Sequence, residues 1–133
     1  MSKGQYTLTL NHERGWVIVV ARGEFNRELG EDLITNAREK AAEFQYNILC
    51  DVRQSKAKVA FADWYFLPRR LAVYRNARQR SVKTAIVVSE GKQEKTYRFF
   101  ETVTRNLGLN IRVFFREADA QDWLDSVRNQ DGK

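Results

Sequence analysis

The sequence holds one cysteine, one histidine and one proline among 133 residues. A lone cysteine excludes a disulfide framework and every cysteine-based metal motif. A lone histidine, His12, leaves a nucleophile–histidine triad with a single base, far in sequence from any suitable serine. No phosphate loop is present, since neither GxxxxGK followed by Ser or Thr nor GxGxxG occurs. The longest apolar run, Trp16 to Ala21, is too short to span a bilayer. The N-terminus, MSKGQYTLTL, has neither the apolar core nor the small-residue cleavage site of a signal peptide. These absences point to a soluble protein of a reducing compartment, and the expected location is the cytoplasm. Nothing calls for a metal or another cofactor, so none is expected. No repeat, linker or low-complexity run breaks the chain. It reads as one domain, 1–133, with a core over 5–128 and a frayed tail over 129–133.

What is present is a normal globular composition. A hydrophobic content of 43% with 12% aromatic residues excludes a disordered chain. The net charge of +6 raises the case for an acidic partner. The 23 basic and 17 acidic residues are interspersed, however, which solubility alone explains, and nucleic acid is not the expected partner.

Hydrophobic periodicity gives the element order. Tyr6 to Leu10 alternates as a half-exposed strand does, and Asn11 to Gly15 reads as a hairpin loop carrying a solvated His12. Trp16 to Ala21 reads as a central strand. Gly23 to Asn26 reads as a loop into a helix capped by Asn26, with Leu33, Ala37, Ala41 and Phe44 as its apolar stripe. Asn47 to Arg53 and Lys83 to Ser89 read as strands, with Cys50 a small core residue of the first. Tyr97, Phe100, Val103, Thr104 and Leu107 mark a helix, and Gly108 stands where a left-handed cap is expected. Ile111 to Phe115 is the last strand and Asp119 to Arg128 the last helix. The order β-β-α-β-α-β-α-β-α predicts an α/β domain with a mixed, mostly parallel sheet flanked by helices.

The stretch Phe61 to Arg80 stands apart. Trp64, Tyr65 and Phe66 are consecutive aromatics, and helical neighbours point about 100° apart, so the three cannot share one core face. Either the last helix or a loop covers them, or they offer apolar surface to a partner. Pro68 starts the main helix of this segment or kinks it. The arginines at 69, 70, 75, 78 and 80 spread around that helix rather than forming one stripe.

The element order resembles that of STAS domains and the SpoIIAA fold of the anti-sigma-factor antagonists. More closely, ILCDVR at 48–53, FFETVTRNLGLNIRVF at 99–114, and Ala120 with Trp123 and Leu124 are similar to small bacterial SpoIIAA-like proteins. The resemblance implies the SpoIIAA-like fold with the first strand at a sheet edge. In the antagonists a serine at the start of the helix after the DVR-like strand is phosphorylated. Here Asp63 matches the preceding acid, but Trp64 and Tyr65 stand in the serine places and Ser55 lies too early. The phospho-acceptor is therefore missing.

These readings lead to a non-enzymatic regulatory or protein-interaction module, with a protein partner or a second copy of itself. The alternative is a binder of a small amphipathic or anionic ligand, lipid-like or phosphate-bearing. Ligands of open α/β sheets bind beyond the carboxyl ends of strands. Three loops, Gly23 to Asn26, Arg53 to Lys58 and Ser89 to Glu94, are expected to meet there, and the middle one brings three cations. The candidate contact residues are Arg53, Lys56, Lys58, Asp63, Trp64, Tyr65, Phe66 and Arg70. No catalytic residue is expected, and an Asp51–Arg53 pair is assigned a structural role.

Overall fold

The computed structural model describes residues 4–57, 82–91 and 93–126. Among these, strands β1 (Gln5–Asn11) and β2 (Trp16–Phe25) form a hairpin and lead to helix α1 (Arg27–Phe44). Strands β3 (Asn47–Ala57) and β4 (Lys83–Val87), helix α2 (Glu94–Asn106), strand β5 (Asn110–Phe114) and helix α3 (Glu117–Asp125) follow. The five strands form one sheet in the order β1-β2-β3-β4-β5. The β1–β2 pair is antiparallel and the other pairs are parallel. The mixed, mostly parallel α/β sheet is thus as the periodicity predicts. The expected helix after β3, Pro68, and the tail from residue 127 lie outside the described residues.

Local chemistry explains the ends. Asn26 caps α1 by accepting the Leu29 N–H at 2.8 Å. Beyond α2, Gly108 has φ +88 and the Leu109 N–H returns to the Thr104 carbonyl at 3.1 Å, which is a glycine-based helix stop. Leu33, Ala37 and Ala41 of α1 are buried, as are Tyr97 and Phe100 of α2. Both helices cover the sheet face formed by Val17, Val19, Ile48, Cys50, Ile86 and Val113. The opposite face, with Trp16, Leu49, Ala85 and Val87, is covered by Ala120 and Leu124 of α3.

Two strands run further than their apolar cores suggest. β2 continues to Phe25 and β3 to Ala57, because the pairs Arg22–Gln54, Gly23–Ser55, Glu24–Lys56 and Phe25–Ala57 extend the ladder. This corrects the loops read at Gly23 to Phe25 and at Arg53 to Ala57. Polar side chains hid the extension, since backbone pairing does not need apolar residues. Between the pairs Val20–Asp51 and Arg22–Gln54 the register shifts, with β3 holding one more residue than β2. The extra residue is a β-bulge at Val52–Arg53.

His12, read as a solvated loop residue, is held in place. Its Nδ1 lies 2.7 Å from the Tyr46 hydroxyl, and its ring meets Phe44 edge-on at 5.4 Å.

Candidate functional site

The bulge decides what the carboxyl end of β3 presents. Before it, Cys50 and Val52 face α1 and α2, while Asp51 faces α3. After it, Ala57 packs with the core under α1 and α2, so Ser55 shares that face and Gln54 and Lys56 turn to the other. Gln54 accepts from Arg22 Nε at 3.1 Å on the α3 side of the sheet.

Arg53 also turns toward α3. Its Nε and one terminal nitrogen donate to the two Asp51 oxygens at 2.9 and 2.7 Å, and the same terminal nitrogen reaches Glu117 at 2.9 Å. The pair expected between Asp51 and Arg53 therefore exists, and it also ties β3 to the first turn of α3. Partial burial pushes the Asp51 carboxyl up, but hydrogen bonds and charge from Arg53 outweigh it and hold the group below the usual carboxylate range.

Where β3 and β4 end on the α2 side, a cleft of about 170 Å³ opens. Val52, Val88 and Tyr97 supply its apolar surface, and Ser55, Ser89, Glu90 and Gln93 its polar groups. Ser55 donates to the Val52 carbonyl at 2.8 Å, and Gln93 Oε1 accepts the Ala57 N–H at 3.3 Å, so both side chains are positioned by β3 itself. Burial raises the Tyr97 phenol well above its ordinary value, with the Cys50 thiol adding to the rise and the Ser55 hydroxyl opposing it. Burial, and then the Asp51 charge, push the Cys50 thiol up to about 12. Cys50 is thus the inert core thiol that the sequence predicts. A smaller apolar cavity of about 60 Å³ lies between α1, α2 and the sheet. There the buried Arg38 donates to Thr84 Oγ1 at 3.1 Å.

Among the candidates from sequence, Arg53 borders the cleft while its guanidinium is engaged on the α3 side. Lys56 projects toward the α3 face. Lys58, Asp63, Trp64, Tyr65, Phe66 and Arg70 lie outside the described residues, as does the phospho-acceptor comparison at Asp63 to Tyr65. The stretches expected to meet at the strand ends, Arg53 to Lys58 and Ser89 to Glu94, hold Ser55, Ser89 and Gln93, and the cleft joins these three. Sequence reasoning did not single them out as contacts, and it read Tyr97 only as part of a helix stripe. Among the described residues, no group of three His, Cys, Asp or Glu side chains is arranged to hold a metal. No described helix is long and apolar enough to cross a membrane.

The chain superposes on the crystal structure of an uncharacterised protein from the DUF3478 family, with a SpoIIAA-like fold, from Shewanella loihica PV-4. The match covers 93% of this chain and 98% of that one, at a TM-score of 0.57 and 17% identity. The fold is SpoIIAA-like. At this identity the likeness concerns architecture alone. No family model matches the sequence, and no curated protein does. Within the SpoIIAA-like fold, the edge position of β1 agrees with what the sequence resemblance implies.

Proposed function

We propose that the protein is a non-enzymatic regulatory module that binds a small amphipathic ligand in the cleft where β3 and β4 end. The observation that carries this reading is the cleft's mixed lining at the carboxyl end of a parallel sheet, where open α/β sheets take ligands. Val52, Val88 and the Tyr97 ring would receive the apolar part, and Ser55, Ser89 and Gln93 the hydrogen-bonding part. The charge of Arg53 is already met by Asp51 and Glu117, and Glu90 stands at the cleft. A neutral or donor-bearing head group is therefore favoured over an anionic one. The Cys50 thiol and the Tyr97 phenol are held neutral near pH 7, and Asp51 is held ionised. Groups fixed in one protonation state suit binding better than proton transfer.

The test is native mass spectrometry of the protein purified from its own host, with an NMR screen of neutral amphipathic amides and alcohols. A retained small mass, or amide shifts centred on Ser55, Ser89 and Gln93, supports the reading. Ser89→Trp, which fills the cleft, should abolish both. A bare protein whose cleft amides respond to no compound overturns it.

A further inference from the structure

The two edges of the sheet are built differently. At β5 the Val113 N–H is taken by Glu101 Oε2 of α2 at 2.7 Å, and the strand carries the exposed charge of Arg112. Both devices discourage a further strand from pairing there. At the other edge β1 has neither. Its seven residues, Gln5-Tyr6-Thr7-Leu8-Thr9-Leu10-Asn11, contain no charge and no proline, and its register with β2 runs without a bulge from Gln5–Arg22 to Asn11–Trp16. Among the described residues β1 pairs only with β2. In an antiparallel pair, alternate residues direct their N–H and C=O groups away from the partner strand. Among the described residues, the outer side of β1 therefore offers an unbroken, uncharged row of backbone donors and acceptors.

The side chains identify what fits that row. Tyr6, Leu8 and Leu10 point to the α1 side and are only partly buried, although they pack on the core. Thr7 and Thr9 are exposed on the other face. The pattern is symmetric about Leu8. Turned end for end it sets Leu8 against itself, Tyr6 beside Leu10, Thr7 beside Thr9, and Gln5 beside Asn11. Every pair is then apolar with apolar or polar with polar, and no like charges meet. Tyr6 is fixed for this role, since its hydroxyl donates to Asp32 at 2.8 Å and accepts from Asn36 at 2.6 Å.

We propose that β1 joins two copies of this chain, pairing antiparallel about a two-fold axis at Leu8 so that the two five-stranded sheets become one continuous sheet. The closed two-fold contact consumes the open edge of both copies and leaves only the guarded β5 edges outside. This inference is independent of the cleft.

Sedimentation equilibrium at micromolar to 100-micromolar protein tests it. The wild type should show twice the chain mass of 15.6 kDa. Thr7→Lys with Thr9→Lys places lysines opposite one another across the proposed pair, and should halve the observed mass while far-UV circular dichroism stays unchanged. Mixing that variant with Thr7→Glu/Thr9→Glu should restore the dimer mass. Leu8→Cys, on the axis, should oxidise to a covalent dimer, whereas Gln5→Cys should not. A monomeric wild type, a lysine variant that stays dimeric, or cross-linking that ignores the position of the cysteine would each overturn the proposal.

Discussion

Lys83 Nζ, at the buried start of β4, donates to the carbonyl oxygens of Trp123 and Ser126 at 3.0 Å each and to Ser126 Oγ at 2.6 Å. A buried cation thus closes the C-terminus of α3, where the helix dipole is negative and the last carbonyls need donors. Lys83→Met keeps the stem and removes the donors. The variant should lose about 1–3 kcal/mol of stability, measured by urea unfolding. No loss would mean that the cost of burying the charge cancels what its hydrogen bonds contribute.

The Asp51–Arg53 pair sets an acid dependence. Asp51 has a lowered pKa in the folded chain. Such a group binds fewer protons folded than unfolded between its lowered value and the unfolded value of about 3.9. Its stabilising contribution is therefore complete above the unfolded value and disappears as pH falls through the folded one. Arg53→Met should raise the Asp51 pKa in a carboxyl-carbon NMR titration and weaken the fall in stability below about pH 4. An unmoved Asp51 titration would show that Arg53 is not what lowers it.

Cys50 is buried with its thiol pushed up to about 12. At pH 8 its thiolate population should be roughly three orders of magnitude below that of a free cysteine near 8.5. Native protein should be inert to a chromogenic disulfide reagent, and should release one equivalent of thiolate on unfolding. Prompt reaction of the native protein would mean that β3 opens locally.

Gly108, with φ +88, has open space around the position of a Cβ. Gly108→Ala meets no clash and pays only for the left-handed backbone, a loss of about 1 kcal/mol by chemical denaturation. A neutral outcome would place the stop of α2 in the Leu109–Thr104 hydrogen bond rather than in the glycine.

The features that could be read from sequence were those a few neighbouring residues determine. Asn26 announces the start of α1 through its own side chain, and Gly108 the end of α2 through its missing one. The apolar cores of β2 and β3 declare themselves by Val and Ile content. The carboxyl half of β3 did not, because Arg53 to Ala57 is polar and its strand conformation comes from pairing with Arg22 to Phe25, some 32 residues earlier. The meeting of the stretches Arg53 to Lys58 and Ser89 to Glu94 points to a crevice at the strand ends, but not to its full lining. Tyr97 carries the spacing of a core residue, and only the tertiary arrangement brings it beside Ser55 and Ser89. Arg53 shows the limit most plainly. Its charge suggested a site, and its partner Glu117, 64 positions away, engages that charge in structure instead.

The bulge at Val52–Arg53 makes the length of β3 matter more than its letters. Beyond it, Gln54 and Lys56 can change to many polar residues with little effect, since they face outward. Removing Arg53 would delete the extra residue, set Val52 opposite Ala21 and Gln54 opposite Arg22 in a regular ladder, and leave every later residue on the face it now holds. A residue inserted after Arg53 would instead shift the rest of the strand by one, turning Lys56 toward the core under α1 and α2 and Ser55 out of the cleft. Variation in this segment should therefore accumulate as substitutions, with loss of the bulge residue the one length change that the ladder absorbs.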